Sequence, residues 1–335
     1  MRRLTALAAA AMVLAACSSR AKPEAIAPPP TTVPRVYYAP LTGLQVAGPE
    51  IVERPAVTIK VDNAPQARPQ AGIERADVVI EERVEGGFVR FLAVFHSTDA
   101  ETVGPIRSVR STDVPVVSPL GGVFVYSGGI AKFVEQVRLA PITAIAEDDG
   151  IAAFDLRRDK ARPFKTYSST ARLRSYAKTG STAPPPLFEF PAPGAAPAPS
   201  GALPATKATA VFAGQTTTAW DYDAATARWL RSTNRTAHTV EGGARLSATN
   251  VILQFVDYRD TGQRDSRGAV VDEAMVVGTG EAWLLSGASA VKGRWSKPSA
   301  SAVTRYTDAA GAPLLVAPGQ SWVSLLPTGA AATIS

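Results

Sequence analysis

Cysteine and histidine are scarce in this chain of 335 residues: Cys17 is the only thiol, and His96 and His238 are the only imidazoles. One thiol cannot form an intrachain disulfide, and once Cys17 is modified no thiol is left for nucleophilic chemistry. Two separated histidines without thiols give no recognisable zinc set. The sequence also lacks a Walker loop, a dinucleotide fingerprint and a nucleophile elbow. We therefore expect no metal and no cofactor.

Apolar runs long enough to cross a membrane are also lacking. The run 4–16 is too short to span about 30 Å of hydrocarbon. It follows Arg2 and Arg3 and ends in small residues before Cys17, which is the pattern of a secretory leader. Residues 14–17, Leu-Ala-Ala-Cys, resemble a bacterial lipobox. That resemblance implies removal of a signal peptide, residues 1–16, acylation of Cys17 by palmitate or similar chains, and an extracytoplasmic protein anchored to the membrane.

Charge of one sign is not concentrated anywhere. The net charge is +6, and 46% of the residues are hydrophobic, which is enough for sizeable cores in a globular protein. The small basic excess suits a weak attraction to anionic lipid or wall polymers. No lysine- or arginine-rich tract with interleaved aromatic residues occurs, so nucleic acid is not an expected partner.

Proline marks the divisions of the chain. Residues 17–39 and 181–206 are rich in proline, and we interpret them as a tether behind the lipidated cysteine and as a linker, although the second is also compatible with the edge of a strand. Residues 40–180 mix strand-like and helix-like patterns, which predicts an α+β or α/β amino-terminal domain. Residues 207–330 contain short strand-like runs between Gly, Asp, Asn and Ser turns, which predicts a mostly β carboxy-terminal domain.

One predicted hairpin concentrates the charge of the first domain. Residues 78–84 and 88–95 have the pattern of two strands joined at Gly86-Gly87. If residue 85 pairs with residue 88, one face is apolar and the other is charged. The charged face then carries Glu81, Arg83, Glu85 and Arg90. Glu82 falls on the apolar face, so either this register is wrong or Glu82 lies at the sheet edge.

Arginines and glycines after the hairpin are arranged in a way that suits an anion. A helix predicted from residue 107 places Arg107 and Arg110 on one face, and paired guanidinium groups bind carboxylate or phosphate. Salt bridges to Asp113 or Glu85 are an equal alternative. Further candidate contacts are a turn before a helix, a strand-end asparagine and a strand arginine: Ser127, Gly128, Gly129, Asn63 and Arg90. Turn packing at 127–129 and an Asx turn at the strand-end pair Asp62-Asn63 remain open.

The same stretch contains the candidate acid and base of a hydrolase. Glu81 and Glu85 lie four residues apart on one predicted strand, which separates them by about 13 Å at about 3.3 Å per residue. Glycosidase carboxylates are about 5 to 9.5 Å apart. A direct acid–base pair is therefore disfavoured. A cross-strand charge ladder with Arg83 and Arg90 is the preferred alternative, and a polar ligand-binding face is the other.

Several motifs, in order along the chain, resemble the DUF3048 family of YerB-like lipoproteins. They include 54–63, 84–95 and Val-Gly-Pro-Ile-Arg-Ser-Val-Arg at 103–110 in the first half, and 248–254, Gly-Arg-Trp-Ser-Lys at 293–297 and 318–322 in the second. The resemblance implies a two-domain envelope lipoprotein and assigns no activity. The family usually has Pro-His-Asn where this chain has Pro163-Phe164-Lys165. Histidine-dependent chemistry is therefore not expected there.

Together, these features predict a lipid-anchored cell-envelope protein that binds an anionic component through its amino-terminal domain. A cell-wall polymer and an envelope protein are the candidate partners. The alternative is a hydrolase of wall glycan or phosphodiester substrates, with Arg107 and Arg110 holding the anion and Glu81 or Glu85 as acid or base. Because no complete catalytic set occurs, the sequence leans against an enzyme.

Overall fold

The computed structural model describes residues 35–195, 201–213 and 216–335. Cys17, the predicted leader 1–16 and the tether up to residue 34 lie outside the described residues. Val36–Ser335 forms one compact unit. In the described parts of the chain, no helix combines the length and the apolar character needed to cross a bilayer.

Helices are short and few compared with strands. The α-helices are α1 (Pro49–Glu53), α2 (Asp113–Val117), α3 (Ala131–Leu139) and α4 (Thr170–Arg174). Single 3-10 turns occur at Pro65–Ala67, Ile73–Arg75, Glu85–Gly87 and Glu147–Asp149. Helical periodicity at Phe133, Val134 and Val137 predicts a helix over 130–139, which is α3. A second short helix is predicted over 170–178 with Ser169 or Thr170 as its cap, and it corresponds to α4. Ser169 caps α4 as expected, because its hydroxyl accepts the Arg172 N–H at 3.3 Å.

Strands make up most of the regular structure in both halves. Those before residue 200 are β1 (Tyr37–Tyr38), β2 (Gln45–Val46), β3 (Val57–Asp62), β4 (Val78–Arg83), β5 (Val89–Phe95), β6 (Val123–Tyr126), β7 (Thr143–Ala146), β8 (Asp155–Leu156) and β9 (Thr166–Tyr167). Those after it are β10 (Leu203–Pro204), β11 (Lys207–Ala213), β12 (Thr216–Asp223), β13 (Arg228–Thr233), β14 (Thr236–Ala237), β15 (Ser247–Ala248), β16 (Asn250–Val256), β17 (Tyr258–Arg264), β18 (Val270–Ala274), β19 (Gly278–Ser286), β20 (Ser289–Lys297), β21 (Arg305–Thr307), β22 (Ser321–Pro327) and β23 (Ala332–Ile334).

Both halves of the chain contribute to one mixed sheet. Its order is β10-β20-β19-β16-β22-β4-β5-β3-β6-β7, with β21 beside β20. The halves meet where β22 pairs in parallel with β4. Strands β3, β5 and β16 are buried along their whole length, and polar side chains on them, such as Lys60 and Arg90, are buried too. Residues 40–180 and 207–330 therefore share a hydrogen-bonded sheet.

A second sheet packs on one face of the main sheet. Its order is β14-β13-β12-β11-β23, with β15 beside β13. Along β12 and β13, buried and part-buried residues alternate, as expected of strands with one face in a core. Trp220 and Trp229 from these strands share a core with Val57 and Phe91 of the main sheet. This arrangement is a sandwich of two sheets.

The opposite face of the main sheet is covered by α2 and α3. Here Leu92 and Phe124 of the sheet form a second core with Val117 of α2 and Phe133 of α3. The predicted mostly β character of the second half is confirmed. The first half is also sheet-rich, and the predicted α+β or α/β class is not clearly present there, because its helices are too short to form a separate layer.

The predicted linker, 181–206, packs on the main sheet where it is described. Phe188 is 5% exposed, the Val316 N–H donates to the Glu189 carbonyl at 2.9 Å, and β10 pairs with β20. The pairing of β10 with β20 corresponds to the edge of a strand, which was the alternative to a linker.

The hairpin register differs from the predicted one by one residue. Glu82 is opposite Arg90, and the Val84 N–H donates to the Phe88 carbonyl at 2.8 Å. The reason is a three-residue loop, Glu85–Gly87, in which Gly86 and Gly87 have φ values of 70° and 73°. A shift of one residue moves each side chain to the other face. The predicted charge ladder is therefore wrong: both faces of the hairpin are in cores.

The predicted helix from residue 107 is also wrong. The backbone there is used by neighbouring segments: the Arg107 N–H donates to the Lys60 carbonyl and the Ile106 N–H to the Thr166 carbonyl, both at 2.8 Å. Residues 106–109 consequently run as an extended segment beside β3, and α2 begins only at Asp113. Helical spacing does not relate Arg107 to Arg110.

Candidate functional site

A cleft of about 730 Å³ opens where the end of β3, the hairpin loop and residues 107–110 meet. We call it the arginine cleft. Its wall includes residues 129–130 and 162–164 from the first half and 265–269, the β17–β18 loop, from the second. Its charged lining residues are Asp62, Glu85, Arg90, Arg107, Arg110, Arg162, Asp265 and Arg267. Arginines outnumber carboxylates in this lining, so the cleft has a surplus of positive charge.

Arg90 is a buried arginine in this lining. It projects from β5 and is 7% exposed, and its Nη1 donates to the Ser108 carbonyl at 3.0 Å. Among the described residues it forms no ion pair with a carboxylate, whereas Arg107 and Arg110 both do. Burial, followed by the nearby charge of Arg110, lowers the pKa of Arg90 to about 10. A buried cation with no direct partner is costly to keep.

Arg107 is held from two sides. Its Nε donates to the Asp62 carboxylate at the end of β3, and its guanidinium carbon lies 5.7 Å from the centre of the Phe164 ring. Burial raises the pKa of Asp62, but the charges of Arg90 and Arg107 outweigh it and the net pKa is lowered. Asp62 therefore remains a carboxylate and keeps Arg107 in place.

Each of the three guanidinium nitrogens of Arg110 donates a hydrogen bond within the protein. Its Nε and Nη2 donate to the two oxygens of Glu85 at 2.5 and 2.6 Å, and its Nη1 donates to the Val109 carbonyl at 2.8 Å. Burial opposes ionisation of Glu85, but the hydrogen bonds and charge of Arg110 lower its pKa overall. The salt bridge between these residues is one of the two alternatives that the sequence left open. It leaves Glu85 a weak base.

A fully buried triad of Lys60, Glu82 and Asp113 connects strands β3 and β4 to the backbone of the cleft residue Arg110. Lys60 Nζ donates to Asp113 Oδ1 at 2.6 Å and to Glu82, and all three side chains are inaccessible to solvent. Asp113 Oδ2 accepts the backbone N–H of Arg110 at 2.7 Å. Burial raises the pKa of Glu82 to about 7. The triad thus links the sheet to the segment that carries the cleft arginines.

The predicted turn 127–129 supports the arginine segment instead of presenting a row of free N–H groups. The Ser127 N–H donates to the Arg107 carbonyl at 2.9 Å, and the Gly128 carbonyl accepts the Val109 N–H at 3.1 Å. Gly129 lines the cleft. A Cβ at Gly129 would lie 2.6 Å from Val109 Cγ1. These contacts correspond to the turn-packing alternative. Of Ser127, Gly128 and Gly129, Gly129 lines the cleft and the other two do not.

Besides Ser127 and Gly128, two further predicted site residues, Asn63 and Glu81, lie outside the cleft lining. The Asn63 side-chain oxygen accepts from Arg68 Nε and Gln70 Nε2, both at 3.0 Å. Glu81 is fully buried and ion-paired with Arg231. Its Oε2 also accepts from Trp322 Nε1 and Ser324 Oγ, both at 3.0 Å. Glu81 therefore has no access to a substrate in this cleft.

The prediction of cleft residues from sequence was incomplete. Asp62 lies beside Asn63 in the strand-end pair, and its ion pair with Arg107 was not foreseen. Phe164 was noted in the sequence only because the resemblance implies a histidine there, and that departure did not predict its contact with Arg107. Arg267 comes from a loop more than 150 positions after Arg107, and no local pattern links them. The described part of the chain contains no group of His, Cys, Asp or Glu side chains that could hold a metal ion.

Comparisons with known proteins agree with the motifs. The model of the family described as "Protein of unknown function (DUF3048) N-terminal domain" matches residues 41–183, and that of its C-terminal domain matches residues 208–323. A Bacillus subtilis (strain 168) protein named "Putative lipoprotein YerB" is 47% identical over 90 residues, a segment that spans only 27% of this chain and 27% of that protein.

The fold is also similar to a solved structure. The crystal structure of the YerB protein from Bacillus subtilis superposes with a TM-score of 0.73 at 23% identity, covering 89% of this chain and 99% of that one. Together, the two domain models match more than half of the chain. The predicted resemblance is thus confirmed, and the chain belongs to the DUF3048 family.

Proposed function

We propose that this protein is a lipoprotein of the cell envelope, held on the extracytoplasmic face of a membrane by acyl chains on Cys17, that binds an anionic ligand in the arginine cleft. The anchor is supported by the lipobox-like residues 14–17 and by the name of the Bacillus subtilis relative. Several acyl chains hold a protein stably on a bilayer, whereas one is marginal.

The observation that carries the binding proposal is the environment of Arg90. A guanidinium that is 7% exposed and lacks a carboxylate partner among the described residues lowers the stability of the free protein. A bound anion compensates that cost by supplying the missing charge and hydrogen-bond acceptors. A wall polymer or an acidic segment of an envelope protein has the required chemistry.

The ion pairs of Glu85 and Glu81 favour binding over hydrolysis. The Glu85 carboxylate is engaged by Arg110 through both oxygens, and Glu81 is buried against Arg231. A general acid or base must lie within hydrogen-bond reach of the proton that it transfers. Neither glutamate meets that requirement for a ligand in the arginine cleft.

The anchor is tested by changing Cys17 to serine. The native protein is expected in the membrane fraction and to incorporate labelled palmitate, and the C17S variant is expected in the soluble fraction without label. Recovery of C17S in the membrane fraction would contradict anchoring through this residue.

Anion binding is tested by isothermal titration of the full-length chain in neutral detergent with inorganic phosphate and with isolated wall material. The R90Q variant is expected to lose binding. The matched control is R264Q, because Arg264 is an exposed arginine, 47% accessible, outside the cleft lining. Equal binding by the native protein and R90Q would refute the role of the cleft.

A further inference from the structure

We propose that the ligand of the arginine cleft is a phosphate monoester, with its phosphate at Arg90 and Arg107 and its organic group against Phe164. This inference rests on the proposed anion-binding function and specifies its substrate class. Three separate observations support this inference: the charge of the cleft lining, the hydrogen-bond donors of the arginines and the volume of the cleft.

The charge of the lining matches a dianion. Five arginines and three carboxylates line the cleft, and Arg162 is also ion-paired with Glu147 outside the lining. Among the described residues, Arg90 and Arg267 are the two lining arginines that form no ion pair. A phosphate monoester carries about −1.5 to −2 charges at neutral pH. A single carboxylate supplies one charge and leaves one of these two arginines uncompensated.

Of the five arginines in the lining, Arg162 and Arg267 are exposed, and the other three, Arg90, Arg107 and Arg110, are buried or half-buried. Arg110 uses its Nε and both Nη atoms on Glu85 and Val109. Arg107 uses its Nε on Asp62, and Arg90 uses its Nη1 on Ser108. Among the described residues, no bond engages the Nη atoms of Arg107 or the Nε and Nη2 of Arg90. Two adjacent guanidinium groups with free donors suit the several oxygens of a tetrahedral phosphate.

The size of the cleft requires more than a phosphate ion. About 730 Å³ lies within the range of about 300 to 1,000 Å³ typical of pockets for drug-sized ligands. The wall beside the arginines is apolar: Phe164 and Ile130 are half-buried and line the cleft with Phe88. Phe164 already packs on the Arg107 guanidinium. A ring joined to the phosphate would therefore contact the aromatic wall while its anion binds the arginines.

The experiment compares three small probes on the full-length chain in neutral detergent: inorganic phosphate, phenyl phosphate and benzoate. We expect phenyl phosphate to bind about tenfold more tightly than phosphate, since an aromatic contact contributes about 0.5 to 1.5 kcal/mol. Benzoate, with one charge, is expected to bind at least about tenfold more weakly than phenyl phosphate. Glucose 1-phosphate, titrated in parallel, distinguishes a sugar from an aromatic ring, and tight binding of either supports the proposal.

Two variants of Phe164 test the contact with the organic group separately from the binding of the phosphate. F164A is expected to bring phenyl phosphate to the affinity of inorganic phosphate, and the loss of the Phe164 packing on Arg107 affects both probes alike, so the ratio of the two affinities is the readout. F164L, which keeps an apolar side chain, is expected to retain part of the preference. Because the comparison of probes on the native protein needs no variant, misfolding of F164A leaves the test intact.

Different failures have different meanings. Equal affinities for phosphate and for both esters would overturn the organic group while leaving anion binding in place. Benzoate binding as tightly as phenyl phosphate would overturn the phosphate. Absence of binding by every probe would overturn both this inference and the proposed function.

Discussion

Glu81 and Arg231 are 150 positions apart and form a fully buried ion pair. Glu81 lies on β4 of the main sheet, and Arg231 lies on β13 of the second sheet. The Arg231 guanidinium carbon is 4.9 Å from the Trp322 ring centre and 5.4 Å from that of Phe91. The pair therefore joins the two sheets across their shared core, and its role is structural.

Removing either partner of this pair should destabilise the protein strongly. E81Q and R231M are each expected to lower the free energy of unfolding by about 3 to 5 kcal/mol, because the remaining charge is left buried and unpaired. Urea unfolding followed by tryptophan fluorescence measures the change. The control is D260N, which breaks an exposed pair of Asp260 and Arg264, 48% and 47% accessible, and should cost less than about 1 kcal/mol.

Removing both charges should be milder than removing one. The double variant E81M/R231M is expected to be more stable than either of its single variants, E81M and R231M, since apolar side chains of similar size replace a desolvated pair. A double variant as unstable as the sum of the two singles would indicate that the partners act independently, contrary to their contact.

The pKa of Glu82 gives stability a pH dependence of known sign. Burial raises the folded-state pKa to about 7 from its ordinary 4.5. Between these values the folded protein holds a proton that the unfolded chain releases, so stability falls as pH rises through that window. The full effect is about 3 kcal/mol. We expect E82Q to lose this slope in urea unfolding at pH 5 to 8.

The quantity to compare is the difference in free energy of unfolding between the native protein and E82Q at each pH. Burial also raises the pKa of Asp77, which adds a slope of the same sign to both proteins and cancels in the difference. Parallel pH profiles for the two proteins would mean that Glu82 does not titrate in this window.

Arg90 should lower stability while it serves binding. Because burial and the charge of Arg110 lower its pKa, the folded state disfavours its charged form. R90Q is expected to raise the free energy of unfolding by about 1 kcal/mol even though it loses anion binding. R107Q is the contrasting variant, since it leaves the carboxylate of Asp62 without its ion-pair partner and should destabilise. A loss of stability in R90Q would contradict the unfavourable environment assigned to Arg90.

Two neighbouring glycines offer a matched test of backbone packing. Gly121 and Gly122 have φ values of 60° and 64°, so alanine is strained at both. A Cβ at Gly122 would lie 2.3 Å from the Ala56 carbonyl oxygen, whereas one at Gly121 meets nothing within 4 Å. G121A is expected to cost about 1 kcal/mol, and G122A clearly more. Equal thermal unfolding midpoints would refute the close approach of β3 and β6 at this point.

Local patterns were sufficient to predict most of the longer strands. Strand-like runs at 56–61, 78–84, 88–95 and 122–126 in the first half, and at 209–212, 217–222, 228–231, 250–258, 269–277, 281–285, 288–295 and 321–326 in the second, correspond to β3 to β6, β11 to β13, β16, β18 to β20 and β22. Burial of one or both strand faces leaves such a pattern in the sequence. The order of motifs likewise identified the family. The arginines at 107 and 110 were selected by their side-chain chemistry and by a helical spacing that the structure does not have.

The sequence by itself determined the strands, the family and the presence of several arginines near one hairpin. Only the tertiary structure decided the hairpin register, because a three-residue loop through Gly86 and Gly87 shifts pairing by one position. Only it decided that Glu81 has Arg231 as its partner and that Arg267 lies across from Arg107. Those relationships join residues far apart in the chain, and their energies come from burial and charge pairing across the sheets, which no local periodicity records.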